Sequence, residues 1–198
     1  MAGGATLIVL ALASVVSLAV ILERYLYYMR RSRVKLKSFM PKIKDDLKKG
    51  NIEEAVKKCK KANTPFSDVA AAGLQFHGHS EKEISNNMER TIVIETNLLE
   101  KYTTIVGTIG STAVYIGLFG TVLGIIKAFN DISLSGGGGI NVVTTGISES
   151  LVCTAAGLCV AVPAVMAYNY FMKKIDNFIT DMELCASEMI DLMTTKQR

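Results

Sequence analysis

One carboxylate and a scatter of hydroxyls stand where the chain is otherwise apolar. Glu149 is the only acid between Ile132 and Met172. Downstream of it, Ser150, Thr154, Gly157 and Ala161 follow i, i+4, i+7, i+11, which is one face of a helix. Upstream, Gly117, Thr121 and Gly124 follow i, i+4, i+7, and Gly120 with Gly124 adds a G-x-x-x-G. Small residues on such faces together with an acid suggest helices packed around a path for ions. The same spacing of small residues also serves close packing of helices. Glu149 tilts the balance toward function. A carboxylate in hydrocarbon costs at least about 2.5 kcal/mol, and such acids usually face a bundle interior or a wet cavity. The bland alternative is an acid solvated at the outer head groups. Glu149 and Thr154 lie about 140° apart around a helix, so they border one cavity without stacking.

The elements that must hold these residues are membrane spans. Of the 198 residues, Ala2–Leu22, Tyr102–Ile126 and Ser150–Met172 form runs of 21, 25 and 23 without a charge. A bilayer core needs about 20 apolar residues in a helix. The basic residues fix an orientation, since 14 of 22 Lys and Arg fall between Arg24 and Lys61, and Lys173 and Lys174 follow the third run. Basic flanks stay in the cytoplasm. The expected fold class is therefore an all-α membrane protein with three transmembrane helices, the second and third long and extending into the cytoplasm. Its expected parts are a first span over 1–23 with an outer N-terminus, a cytoplasmic helical region over 24–101, a second span over 102–131, a Gly-rich outer turn over 132–140, a third span over 141–172 and a cytoplasmic C-terminal helix over 173–198.

Two other readings of the N-terminal third are weaker. A cleaved signal peptide would carry a basic n-region, which is missing, and a shorter apolar stretch. The basic block after the first span could suit nucleic acid, but few aromatics are interleaved. Contact of Arg30, Arg31, Arg33 and Lys35 with anionic phospholipid fits better, at about 1 kcal/mol per basic residue.

Between the spans, helix continues past Glu23 to about Lys37, and Pro41 marks a break. Two short amphipathic helices are expected over Lys42–Lys49 and Ile52–Ala62, and a further helix over Ser67–Gly78, capped by Ser67. Ser80-x-x-Glu83 has the spacing of a capping box. With no Gly until Gly107, one long helix is expected from about Ser80 to about Asp131. Pro163 can bend the third helix. After Lys173, Ile175, Phe178, Ile179, Met182, Cys185, Met189 and Met193 make a stripe at helical spacing, with most acids off it.

Several chemistries find no support. The run Gly136–Gly139 lacks the Lys-Ser/Thr and the strand of a phosphate-binding loop. His77 and His79 do not share a helix face, and Cys59, Cys153, Cys159 and Cys185 lack metal spacing, so neither a metal site nor a disulfide is expected. No nucleophile–base pair stands out. Neither an enzyme nor a cofactor is expected.

The stretch GLFGTVLGI at Gly117–Ile125 resembles the second-span signature of the ExbB/TolQ/MotA proton-channel family. GISESLVCTAAGL at Gly146–Leu158, with AVPAV at Ala161–Val165 and Tyr168-Asn169, resembles its third-span signature. Three spans fit the ExbB or TolQ branch; MotA-type members have four. The resemblance implies a homo-oligomer, a pentamer, in the bacterial inner membrane. It implies a pore holding a dimer of a single-span ExbD/TolR-like partner whose aspartate takes up the proton. It implies a TonB-like protein, for uptake of iron-siderophores and vitamin B12, or a TolA-like one, for envelope constriction at division. By position, Thr121 and Thr154 match the family's pore-lining threonines and Glu149 its third-span acid, which tunes the path. Gly117, Gly120, Gly124, Gly157 and Pro163 would pack the helices at the pore. Cys153 and Ser150 stand where the family pattern has alanine. The remaining alternative is a membrane scaffold that conducts nothing.

Overall fold

The computed structural model describes residues 2–134 and 140–194, and every element among them is a helix. They run α1 (Ala2–Arg31), α2 (Leu36–Lys48), α3 (Ile52–Ala62), α4 (Pro65–Gln75), α5 (Glu81–Glu100), α6 (Thr103–Leu134) and α7 (Ile140–Thr194). Among the described residues, three helices are long and apolar enough to cross a membrane. The glycine turn expected between the second and third spans falls largely outside the described residues. The chain divides into two compact units. One holds Met1–Arg24 with Tyr102–Phe171, the other Tyr25–Lys101 with Met172–Arg198.

The first unit is three apolar helices. α6 and α7 run antiparallel along a seam of small residues. α1 packs beside them through Leu10, which is buried with Ala113 and Ala161. Most of α1 is open, with Ile8, Leu12, Val15, Leu18 and Leu22 exposed. Where α1 leaves this unit, Arg24 pairs with Glu23 and lies 5.5 Å from the Tyr102 ring centroid.

The second unit is a small helical core. Phe39 of α2 meets Phe66 of α4 edge to face at 5.2 Å between centroids. From α7, Ile175, Phe178, Met182, Cys185, Met189 and Met193 are buried, the stripe the spacing foretold, with Ile179 at its margin. Cys185 Sγ donates to the Phe66 carbonyl at 3.3 Å. Burial pushes the Cys59 thiol up to about 12, so it stays protonated and unreactive. The Ser80–Glu83 capping box is present.

Four local expectations need correction. Helix α1 stops at Arg31 rather than Lys37, and α2 then runs through Pro41. Pro41 and Lys37, the residue whose carbonyl it cannot serve, are both exposed, so that carbonyl meets water. On the other face Leu36, Phe39, Met40, Ile43 and Leu47 are buried, and their packing holds the helix across the missing bond. Helix α4 begins at Pro65 with Thr64 as its cap; Ser67 instead closes the box by accepting from the Thr64 N–H at 3.0 Å. Finally, there is no single helix from Ser80 to Asp131. It breaks at Lys101–Tyr102, where Tyr102 sits at φ +66° in the left-handed region. The break frees carbonyls at the end of α5. The Tyr28 hydroxyl donates to one of them, the Leu99 oxygen, at 2.8 Å.

Candidate functional site

The seam between α6 and α7 is built on glycine. A Cβ on Gly117 would lie 2.7 Å from the Cys153 oxygen and 3.1 Å from Gly157 Cα. A Cβ on Gly157 would lie 2.7 Å from the Ala113 oxygen. The two backbones therefore touch at Gly117 and Gly157, which only glycine permits at that spacing. Farther along, Gly124 faces Ser150 and Gly146 faces Ala128 in one direction, while Gly110 faces Val165 and Gly107 faces Tyr168 in the other. Gly120 turns to α1, where its Cβ would lie 2.5 Å from Thr6 Oγ1.

This close approach brings two hydroxyls together from positions 33 residues apart. Thr121 Oγ1 and Thr154 Oγ1 are 2.5 Å apart. Thr121 Oγ1 is also 3.0 Å from the Ser150 carbonyl and 3.2 Å from that of Gly117. Each hydroxyl has one proton to give. Both are satisfied when Thr154 donates to Thr121 and Thr121 donates to the Ser150 carbonyl. Ser150 Oγ in turn donates to Gly146 O at 2.6 Å. Thr121 is buried and Thr154 partly exposed, so the pair is reached from the Thr154 side. The result is a short polar ladder inside an apolar helix pair. It can bind water or relay a proton between oxygens, and it offers no nucleophile.

Not every candidate joins it. Glu149 precedes buried Ser150 but points outward, is exposed, and has no side-chain partner among the described residues. Pro163 is likewise on the exposed side of α7, away from the seam, and the helix continues through it. In the second unit, Arg31 does not reach outward to lipid as the basic block suggested. Its guanidinium pairs with Glu95, with Asp68 at 2.8 Å and with Asn63 at 2.9 Å. Arg30, Arg33 and Lys35 remain exposed. Thr6, whose hydroxyl lies 3.6 Å from Cys153 Sγ, is one of three hydroxyl residues in the apolar first span, with Ser14 and Ser17, and nothing in the sequence marks that span as functional.

Three spanning helices, two of them locked by glycine around a threonine pair, define a membrane protein with a polar ladder in its helix seam. The chain belongs to the MotA/TolQ/ExbB proton channel family, whose sequence profile matches residues 61–184. It is a multi-pass inner-membrane protein. It is 30% identical over 198 residues to the biopolymer transport protein ExbB of Neisseria meningitidis serogroup A, covering 92% of this chain and 87% of that one. It is 31% identical over 178 residues to ExbB of Neisseria gonorrhoeae, covering 83% and 78%. With ExbB of Xanthomonas campestris pv. campestris the identity is 29% over 166 residues, covering 75% of this chain but 66% of that protein, just under two thirds of its length.

Proposed function

We propose that this chain is a proton-conducting subunit of ExbB type, which uses the proton motive force to energise a process at the outer membrane. The observation that carries the reading is the Thr121–Thr154 pair at the glycine seam. Family membership supplies the proton, and the geometry supplies oxygens spaced to pass one. Several copies, five on the family pattern, would surround the single spans of an ExbD-like dimer whose aspartate takes up the proton. A TonB-like protein would carry the work outward, with iron-siderophores and vitamin B12 as cargo. The names of the relatives favour this branch over the TolQ type. Glu149, exposed on α7, would tune the path beside the partner's acid. The N-terminus would lie outside and the second unit in the cytoplasm. Arg30, Arg33 and Lys35 would meet anionic head groups there.

The test is proton flux into liposomes holding this chain and its single-span partner. Thr154→Val keeps the shape and removes the hydroxyl. Loss of one hydrogen bond of about 1.4 kcal/mol at the rate-limiting oxygen is about tenfold in rate. Flux should fall about tenfold or more in Thr154→Val and in Thr121→Val while the complex still assembles. Unchanged flux in both, or no partner-dependent flux in the parent, would replace the channel with a scaffold.

A further inference from the structure

Helix α1 leaves its apolar residues open and buries polar ones. Among the described side chains of the first unit, those that α1 buries are Thr6, Leu10, Ser17 and Arg24. They follow i, i+4, i+11, i+18, which is one face of the helix. Covering a leucine gains little in a membrane, because lipid tails are as apolar as leucine. Helices associate there through close packing and hydrogen bonds. The place of α1 on the seam is therefore set by contacts such as that of Thr6.

Thr6 touches both helices of the seam at one level. Its hydroxyl donates to Cys153 Sγ on α7 at 3.6 Å. On α6, a Cβ added to Gly120 would lie 2.5 Å from Thr6 Oγ1, 3.1 Å from Thr6 Cβ and 3.0 Å from Cys153 Cβ. Thr6 and Cys153 together fill the space that glycine leaves. The two residues Thr6 meets stand directly before the threonine pair, since Gly120 precedes Thr121 and Cys153 precedes Thr154. Successive helix residues point about 100° apart. Thr6 therefore meets the seam on another side from the one where Thr154 is reached. Cys153 also carries the carbonyl that stands 2.7 Å from the Cβ position of Gly117, where the two backbones touch.

A shift of α7 at Cys153 carries Thr154 with it through a single peptide bond. The pair tolerates little of this. Thr121 Oγ1 has Thr154 Oγ1 at 2.5 Å and the Ser150 carbonyl at 3.0 Å, and hydrogen bonds weaken steeply away from their geometry. We infer that Thr6 is a positioning residue for the Thr121–Thr154 pair. Its hydroxyl bond to Cys153 and its seat against Gly120 hold α7 to α6 at the level of the pair. This rests on the channel reading above and brings the first span into it. The acceptor is a sulfur where the family pattern has alanine, which has none to offer.

Three substitutions separate the bond from the shape. Thr6→Val keeps the shape and removes the donor, Thr6→Ser keeps the donor, and Cys153→Ala removes the acceptor. In liposomes holding the chain and its single-span partner, proton flux should fall about threefold in Thr6→Val and in Cys153→Ala, as for loss of one weak hydrogen bond between membrane helices. Thr6→Ser should conduct like the parent. Thr6→Val combined with Cys153→Ala should be no slower than the worse single variant. Parental flux in Thr6→Val, an equal loss in Thr6→Ser, or additive losses overturn the inference and leave the channel standing. A second measurement needs no conduction. The infrared S–H stretching band that Cys153→Ala removes should shift in Thr6→Val and keep its place in Thr6→Ser. An unmoved band in Thr6→Val overturns the bond. A parent without partner-dependent flux removes the channel, and a band that still shifts there upholds the hydroxyl–thiol bond on its own.

Discussion

Arg31 faces two carboxylates, and they are not equivalent. Glu95 is buried with it, whereas Asp68 is about one-third exposed. Burial pushes the Glu95 carboxyl above its ordinary value of 4.5; Arg31 pulls it back, Asp68 pushes it up again, and the rise prevails. The folded chain therefore binds a proton at Glu95 more readily than the unfolded chain does. This group's contribution to stability is present below the ordinary glutamate value and is lost as pH rises through the raised folded value. Glu95→Gln, which imitates the protonated form, should leave stability at pH 7 within about 1 kcal/mol of the parent. Arg31→Ala strips both acids of their cation and should cost about 3–5 kcal/mol. Its deficit should shrink as the buffer approaches the ordinary glutamate value, followed by the heat-unfolding midpoint in detergent. Equal losses in the two variants would contradict the assignment. The sequence gives Arg31 no sign of this role, because its two acids lie 37 and 64 residues away. Thr121 and Thr154 were easier to find. Their spacing put each on a small-residue face, though nothing in the spacing said that the two faces would meet.

Among the helices, the seam and the break at Tyr102 are the features with consequences. Gly117→Ala places a methyl 2.7 Å from the Cys153 oxygen, so the helices must part. The expected cost is about 1–3 kcal/mol, read as a lower unfolding midpoint, with the threonine pair pulled open. Gly4→Ala is the control, since nothing lies within 4 Å of its added carbon. It should be neutral or stabilising by up to about 1 kcal/mol. At the break, Tyr28→Phe leaves the Leu99 carbonyl without its donor in a buried setting and should cost about 1–3 kcal/mol. Faster amide exchange at the end of α5 would report it. The break was invisible in the sequence because no Gly or Pro marks it. Its support comes from Tyr28, 71 residues upstream. Pro41 misled in the opposite direction, since a strong breaker was outweighed by five apolar neighbours on one face. Ile52–Ala62, with Gly50 before it and Asn63 after it, was legible to the residue because both ends carry local signals.

For the molecule as a whole, length and charge were enough to identify three membrane helices, since charge-free runs of this length have few other uses. What they could not give is which face of each helix is covered. In the apolar windows of the three spanning helices, 17%, 28% and 28% of residues are buried inside the chain. Of the rest, some are half-buried, and Leu118, Phe119, Val122, Val162 and Met166 are among those that lie open. A saturation library should record this in an unusual way. In a water-soluble domain, tolerance of polar substitutions rises from the centre outward. Here the open faces of α6 and α7 should reject Asp, Lys and Arg as firmly as the glycine seam rejects bulk, and the two kinds of intolerance should alternate along each helix. Between them, the library would trace the outline of whatever surrounds the chain.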